Sequence, residues 1–238
     1  MLSYFCFVAV ILGVRSASAP FITPCKVDDN ACIVASAQAS VVSVASGVPE
    51  LGIKPLDPLQ LDNINGDNGG LQLTFKDTVV TGMKGCFVEG VKLDMKKQKQ
   101  VVTLRCPKVE LTGVYKLGGH LLILPIQGEG KYNINIRDII IKTYNEIEMV
   151  TGDDGKKHLH IASWRQNYQV KTNTHFHFDN LFNGNKVLGD PVEEFANSNW
   201  REVMKELASP VVEAVVTRVV EAVETLYKAV PADEMFLD

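Results

Sequence analysis

The sequence predicts an α+β protein in which one long C-terminal helix is wrapped by a highly curved antiparallel β-sheet, with an internal apolar tunnel between them. Three observations carry this prediction. Valines recur at four-residue steps near the C-terminus, at Val211, Val215, Val219 and Val223, beside Val212, Val216 and Val220, with Glu213, Arg218, Glu221, Glu224 and Lys228 between them. That is the period of a helix buried along one face. The middle of the chain alternates apolar and polar residues, as in Leu71-Gln72-Leu73-Thr74-Phe75, Val91-Lys92-Leu93-Asp94-Met95 and Tyr132-Asn133-Ile134-Asn135-Ile136, which is the period of a strand. Glycines at Gly82, Gly85, Gly90, Gly113, Gly128 and Gly130 interrupt this region, and glycine inside a strand marks a bulge or bend that curls a sheet. From Asn199 to Ala229 the helix would run about 45 Å at ~1.5 Å per residue. It needs an apolar partner of equal length, and a sheet wrapped lengthwise supplies one while leaving space for a long apolar molecule.

The elements follow in order. Residues 1–19 read as a secretory signal peptide: Phe5 to Val14 is an apolar stretch too short to span a bilayer, and Ser16, Ala17, Ser18 and Ala19 are small residues suited to cleavage. Asp28 or Asp29 is placed to cap a helix running through Ile33, Val34, Val41, Val42 and Val44 to Gly47. Pro49, Pro55 and Pro58 then impose an extended, turning segment. Strands are expected from Leu71 to about Val170, paired in sequential order and hence antiparallel. Turns are expected at Lys96 to Lys99, at Gly118-Gly119 and at Gly152-Asp153-Asp154-Gly155. Asp190 with Pro191 should open a short helix. Asn199 and Glu202 have the spacing of a capping box for the long helix, and Pro210 should kink it. Valine is not a favoured helix residue, so a Val-rich helix must owe its stability to burial.

Composition narrows the function. The chain has 238 residues with 46% hydrophobic, enough for one large core, and no linker or repeat divides residues 20–238. The net charge is −4 and no basic stripe is present; the lysines at Lys96, Lys97 and Lys99 fit a turn tip, so nucleic acid is not an expected partner. Charges interrupt the Val-rich helix at every turn, so no transmembrane segment is expected. With Cys6 in the leader, four cysteines remain, Cys25, Cys32, Cys86 and Cys106, an even number that in an oxidising compartment implies disulfides. A hairpin centred near Lys96 sets Cys86 opposite Cys106 and Val91 opposite Val101; a one-residue slip would leave two buried thiols instead. No N-x-S/T acceptor for glycosylation occurs.

Several motifs together resemble the insect juvenile-hormone-binding and takeout family of secreted carriers. They are Phe178-Asp179-Asn180-Leu181-Phe182-Asn183-Gly184, Leu188-Gly189, Phe195-Ala196-Asn197-Ser198-Asn199-Trp200 and Pro231-Ala232-Asp233-Glu234-Met235-Phe236. Earlier in the chain, Gly47-Val48-Pro49 with Leu51-Gly52-Ile53-Lys54-Pro55-Leu56-Asp57-Pro58-Leu59, Leu111-Thr112-Gly113-Val114-Tyr115 and Leu122-Ile123-Leu124-Pro125-Ile126-Gln127-Gly128-Glu129-Gly130 also resemble it. The likeness runs in order through the chain after the leader. It implies that Cys25 and Cys32 form the family's N-terminal pair, that the fold is a curved sheet around one long helix, and that the protein carries a hydrophobic ligand such as juvenile hormone in haemolymph or another body fluid. The same family contains takeout-like carriers, for which a fatty acid, terpenoid or quinone-like lipid is the alternative ligand. A filled-core extracellular interaction protein is the alternative of a different class.

Catalytic signatures are missing: the sequence holds no G-x-S-x-G, P-loop, dinucleotide-binding glycine pattern or H-E-x-x-H, so it is not read as an enzyme and no cofactor is expected. His158 with His160, and His175 with His177, are two-residue pairs of the kind that offer imidazoles on one strand face, but alternation with Leu159, Ile161, Phe176 and Phe178 reads as a solvent face, not a metal site. The expected ligand wall consists of Val34, Val41, Leu121 and Ile123, of Phe176 and Phe178, and of Val211, Val215 and Val219. Tyr115, Tyr132 and Trp200 are the expected polar tips within that wall, each able to donate one hydrogen bond to an ester, epoxide or quinone oxygen. A monomer with one small hydrophobic ligand is the expected assembly.

Overall fold

Long strands and one long helix set the architecture. The computed structural model describes residues 19–68 and 70–237. Most of the predicted signal peptide, residues 1–18, lies outside the described residues. After a short strand β1 (Cys25–Lys26) comes helix α1 (Asn30–Ser46), then strands β2 (Leu59–Asn68), β3 (Leu71–Thr81), β4 (Phe87–Asp94), β5 (Lys99–Leu121), β6 (Leu124–Thr151) and β7 (Lys157–Phe178). Helices α2 (Lys186–Ser198), α3 (Trp200–Ala229) and α4 (Ala232–Met235) follow, and β8 (Phe236–Leu237) closes the chain by pairing in parallel with β1.

The sheet is antiparallel in the order β2-β3-β5-β6-β7, with β4 paired to part of β5. It must curl. The 28 residues of β6 would extend roughly 90 Å at ~3.3 Å per residue, about twice the length of the 30-residue α3. The edge strands β2 and β7 both pack on α3. Flat, five strands ~4.8 Å apart would hold those edges roughly 19 Å from each other, too far for a helix ~10 Å across to touch both. The Pro210 ring meets Gly66 of β2, while Glu224 of α3 accepts from the Ile161 amide of β7 (2.8 Å). α3 runs unbroken through Pro210.

The alternation read in the sequence holds in detail. Leu71, Leu73 and Phe75 are buried with polar neighbours between them, as are Tyr132, Ile134 and Ile136. Asp29 caps α1, its side chain accepting from the Cys32 amide at 3.0 Å, and Gly47 ends the helix with φ 86°. Both sulfur pairs are bonded, Cys25–Cys32 and Cys86–Cys106.

Several local expectations are corrected. The large sheet begins at Leu59, ahead of Leu71. Gly118-Gly119 is not a turn: β5 continues through it to Leu121, and Leu122-Ile123 makes the hairpin, with Leu122 at φ 56°. Gly119 is there because the β2–β3 connection crosses it; a Cβ at this position would lie 2.0 Å from the Gly70 carbonyl oxygen. Cys86 is level with Cys106, since Phe87 pairs with Arg105, but Val91 faces Val102 and not Val101. A bulge between Val88 and Gly90 absorbs the one-residue difference. α2 starts at Lys186, where the Asn185 side chain accepts from the Val187 amide at 3.1 Å, so Asp190 is not its cap and Pro191 sits inside it. The capping box is not formed, because the Asn199 side chain turns back and donates to Phe195 O of α2 at 2.8 Å.

His158 is not on a solvent face. It is buried, with Nδ1 3.1 Å from Tyr227 O and Nε2 3.1 Å from Asp154 Oδ1, and it ties β7 to the C-terminal end of α3. His160 Nδ1 lies 2.6 Å from Glu224 Oε1 on the same helix. His177 remains half exposed beside Glu193 of α2, whose hydrogen bond raises its pKa above the ordinary imidazole value. Among the described residues no group of three or more His, Cys, Asp or Glu side chains could hold a metal ion.

Candidate functional site

Helix α1 lies across β4, opposite the middle of α3. Gln38 holds it there, its Oε1 accepting from the Val88 amide at 2.7 Å. Alanine and serine make this helix thin, with Ser36, Ala37, Ser40 and Ala45 on the face turned toward α3 and the sheet. Between α1, α3 and the inner face of β4, β5 and β6 is a cavity of about 310 Å³. The strand positions facing it follow the period of two: Val102, Leu104 and Cys106 of β5, and Ile139, Ile141 and Thr143 of β6. From α3 come Val211 and Val212, then Val215, Val219 and Val223. The last three keep partly accessible surface even though they pack against the core.

One end of the cavity is polar. Gln100 of β5 and Asn145 of β6 are direct cross-strand partners and both are buried, at 4% and 5% exposure. Asn145 Nδ2 donates to Gln100 Oε1 at 3.0 Å, and Gln100 Nε2 donates to the Tyr227 hydroxyl at 2.7 Å. Burial raises the Tyr227 pKa above the ordinary phenol value, so the hydroxyl stays protonated.

The structure brings Val41, Val211, Val215 and Val219 to this cavity. It does not bring the other expected wall residues there. Tyr115, Tyr132, Phe176 and Phe178 form a packed aromatic cluster elsewhere in the core, with Phe75–Tyr132 and Tyr115–Phe178 ring centroids at 4.4 and 4.9 Å. The two tyrosine hydroxyls already have protein partners. Tyr115 donates to Asp179 O at 2.6 Å, and Tyr132 bonds the buried Thr78 hydroxyl at 2.8 Å. Burial pushes both phenols up to about 12. Gly128 makes room for this cluster; a Cβ there would lie 2.6 Å from the Tyr115 hydroxyl oxygen. Leu121 is buried at the end of β5, and Ile123 is 81% exposed at the hairpin tip. Trp200 opens α3 with the Arg201 guanidinium 4.4 Å over its ring, and Val34 is only partly buried on α1; none of these four lines the cavity.

Sequence reading missed Gln100, Thr143, Asn145 and Tyr227. For the first three the signal was present as polar residues at inward-facing positions of strands otherwise apolar on that face, in Gln100-x-Val102-x-Leu104 and Ile139-x-Ile141-x-Thr143-x-Asn145; Tyr227 lies on α3 and had no such signal. The aromatic cluster also yields a test. Tyr132→Phe leaves the fully buried Thr78 hydroxyl without its partner, a cost of about 1–3 kcal/mol. Thermal unfolding should show a melting temperature lower by about 2–12 °C, with ligand affinity unchanged.

Among the described residues no helix is long and apolar enough to cross a membrane. The chain is similar to a circadian clock-controlled protein, daywake, of Drosophila melanogaster, 29% identical over 223 residues that cover 89% of this chain and 85% of that protein. It is also similar to a juvenile hormone-binding protein of Manduca sexta, 28% identical over 127 residues covering 48% of this chain and 56% of that one. A putative beta-carotene-binding protein of Schistocerca gregaria is 22% identical over 138 residues, 57% of this chain and 55% of that one. Among solved structures, Takeout 1 of Epiphyas postvittana superposes with a TM-score of 0.88 at 32% identity, over 91% of this chain and all of that one. The model of the haemolymph juvenile hormone binding protein family matches residues 2–237, and the chain belongs to that family.

Proposed function

We propose that this protein is a secreted, monomeric, non-enzymatic carrier that holds one small hydrophobic ligand in the cavity between α1, α3 and the sheet. The cavity is the observation that carries the reading. Its volume of about 310 Å³ reaches the range of roughly 300–1,000 Å³ common to small-molecule sites. Protein interiors have few voids larger than a water molecule. A space of this size, lined almost wholly by apolar side chains, is one that a filled core would close. A sheet and two helices that give up that much packing support a carrier over a filled-core interaction protein. The two disulfides fit an extracellular compartment.

The apolar wall fits a terpenoid such as juvenile hormone, in keeping with the names of the Manduca and Schistocerca relatives. The second reading, a fatty acid or quinone-like lipid, is favoured by a likeness to Takeout 1 that extends over far more of the chain than the likeness to the hormone-binding protein. Native mass spectrometry of the secreted protein during titration with juvenile hormone and with a C16–C20 fatty acid separates them. A one-to-one hormone adduct that outcompetes the fatty acid supports the first ligand, and a fatty-acid adduct alone supports the second. No adduct with either, nor with a co-purified lipid, sinks the carrier reading.

A further inference from the structure

Asn145 Oδ1 is buried and has no hydrogen-bond partner, although the side chain belongs to the cavity wall. The rest of its surroundings are paired. Asn145 Nδ2 gives its hydrogen bond to Gln100, and Gln100 passes one on to Tyr227. This chain of three residues runs from the inner face of the sheet across to α3 and has two ends. At one end is an acceptor, Asn145 Oδ1. At the other the Tyr227 hydroxyl, accepting from Gln100, keeps its own hydrogen to give. Each nitrogen and oxygen between the two ends has a partner within the chain. A buried polar atom left unpaired is costly, and a cavity wall otherwise built from Val, Leu and Ile has no use for one unless a polar group arrives from the cavity. The terminal amide torsion of Asn is broad, and a modest rotation brings Oδ1 toward such a group provided Nδ2 stays within reach of Gln100 Oε1.

We infer that the Gln100–Asn145–Tyr227 end of the cavity receives the head group of the ligand, and that it selects a head group carrying an O–H, an alcohol or a protonated acid, over one that only accepts. This rests on the carrier reading above and, within it, favours the fatty acid over a hormone whose ester and epoxide oxygens only accept. A hydroxyl is both donor and acceptor, so it complements Asn145 Oδ1 and the Tyr227 O–H together. An ether, ester or epoxide complements Tyr227 alone and leaves Asn145 Oδ1 unpaired. The apolar tail lies along Val215, Val219 and Val223 of α3, facing Val102 and Leu104 of β5. Length and bulk of the tail then govern affinity, and the amide pair governs which end is inserted.

The test compares farnesol with farnesyl methyl ether, which share one hydrocarbon chain and differ by the donor. Both displace the fluorescent apolar probe N-phenyl-1-naphthylamine from the full-length secreted protein. The wild-type protein should bind farnesol at least about tenfold more tightly than the ether, the discrimination expected where one buried polar group goes unpaired. In Asn145→Leu the ratio should fall to near one, with ether affinity kept or improved. Tyr227→Phe should weaken both ligands and keep the ratio, since both lose the same donor; should Asn145→Leu fail to fold, a ratio that falls to one in Tyr227→Phe would place the preference on Tyr227 and overturn the inference. Equal binding by the wild type, a preference for the ether (as the reversed amide chain would give), or a ratio surviving in Asn145→Leu overturns the inference. If the naphthylamine probe and both chains bind without discrimination, the carrier reading stands and only the head-group inference fails. If nothing binds, the carrier reading fails and takes the inference with it.

Discussion

Val219→Phe lowers ligand affinity by at least tenfold and leaves the melting temperature unchanged or higher. Val219 sits mid-way along the cavity face of α3, between Val215 and Val223, and retains accessible surface. A phenyl ring in place of its two methyls projects into the volume the ligand would occupy. At a well-packed core position the same substitution would cost about 1–3 kcal/mol through overpacking, seen as a melting temperature lower by roughly 2–12 °C. At a cavity wall the ring gains apolar contact instead. The two readouts move independently, so titration of the variant with the wild-type ligand alongside thermal unfolding is decisive. Lower stability with unchanged affinity would mean that the space beside Val219 is not where the ligand lies. Val203, in the first turn of α3, is fully buried and does not line the cavity, and Val203→Phe serves as the contrasting variant, expected to destabilise.

Replacing Cys86 and Cys106 together by alanine should lower stability by about 3 kcal/mol, from the loop-closure entropy regained by the unfolded chain over a separation of 20 residues. The expected fall in melting temperature is about 6–12 °C. The effect should exceed that of Cys25→Ser with Cys32→Ser, whose separation is 7 and whose entropic share is nearer 2 kcal/mol. Position adds to the difference. Cys86 and Cys106 are both buried in the cavity wall, and the Cys86 carbonyl accepts from Gln38 of α1. Losing the disulfide therefore loosens α1 over the cavity as well as β4 on β5. Calorimetric unfolding of the two double variants measures both quantities. A smaller loss from the Cys86–Cys106 pair than from the Cys25–Cys32 pair would contradict this account.

Periodicity was a reliable guide wherever one face of an element is buried. Leu71, Leu73 and Phe75, and Tyr132, Ile134 and Ile136, point inward as their alternation requires, and the Val stripe of α3 faces the sheet. Caps were legible where a single side chain decides them, as at Asp29. They were not legible at Asn199, where the side chain has a choice between the helix it precedes and the helix it follows, and takes the latter. Glycine was ambiguous for a related reason. Gly118-Gly119 has the composition of a turn, but the requirement it answers is close passage of the chain at Gly70, a contact between residues about fifty positions apart that no local window contains.

The expected site illustrates the same limit. Tyr115, Tyr132, Phe176 and Phe178 were placed in the ligand wall beside Val41, Val211, Val215 and Val219 because all of them occupy inward positions. In the structure the first four are packed against one another with the two tyrosine hydroxyls bonded, and the last four face the cavity. Alternation identifies the inner face of a strand but does not say which stretch of that face is filled. The sequence by itself determined the element types, their buried faces, the long helix within a curled antiparallel sheet and the family likeness, because each depends on periods and motifs contained in short windows. Only the tertiary structure decided that large rings fill one region of the interior while small and branched side chains leave space in another. That space is a difference between side-chain volumes contributed by α1, β4, β5, β6 and α3, and such a difference exists only once those elements are brought together.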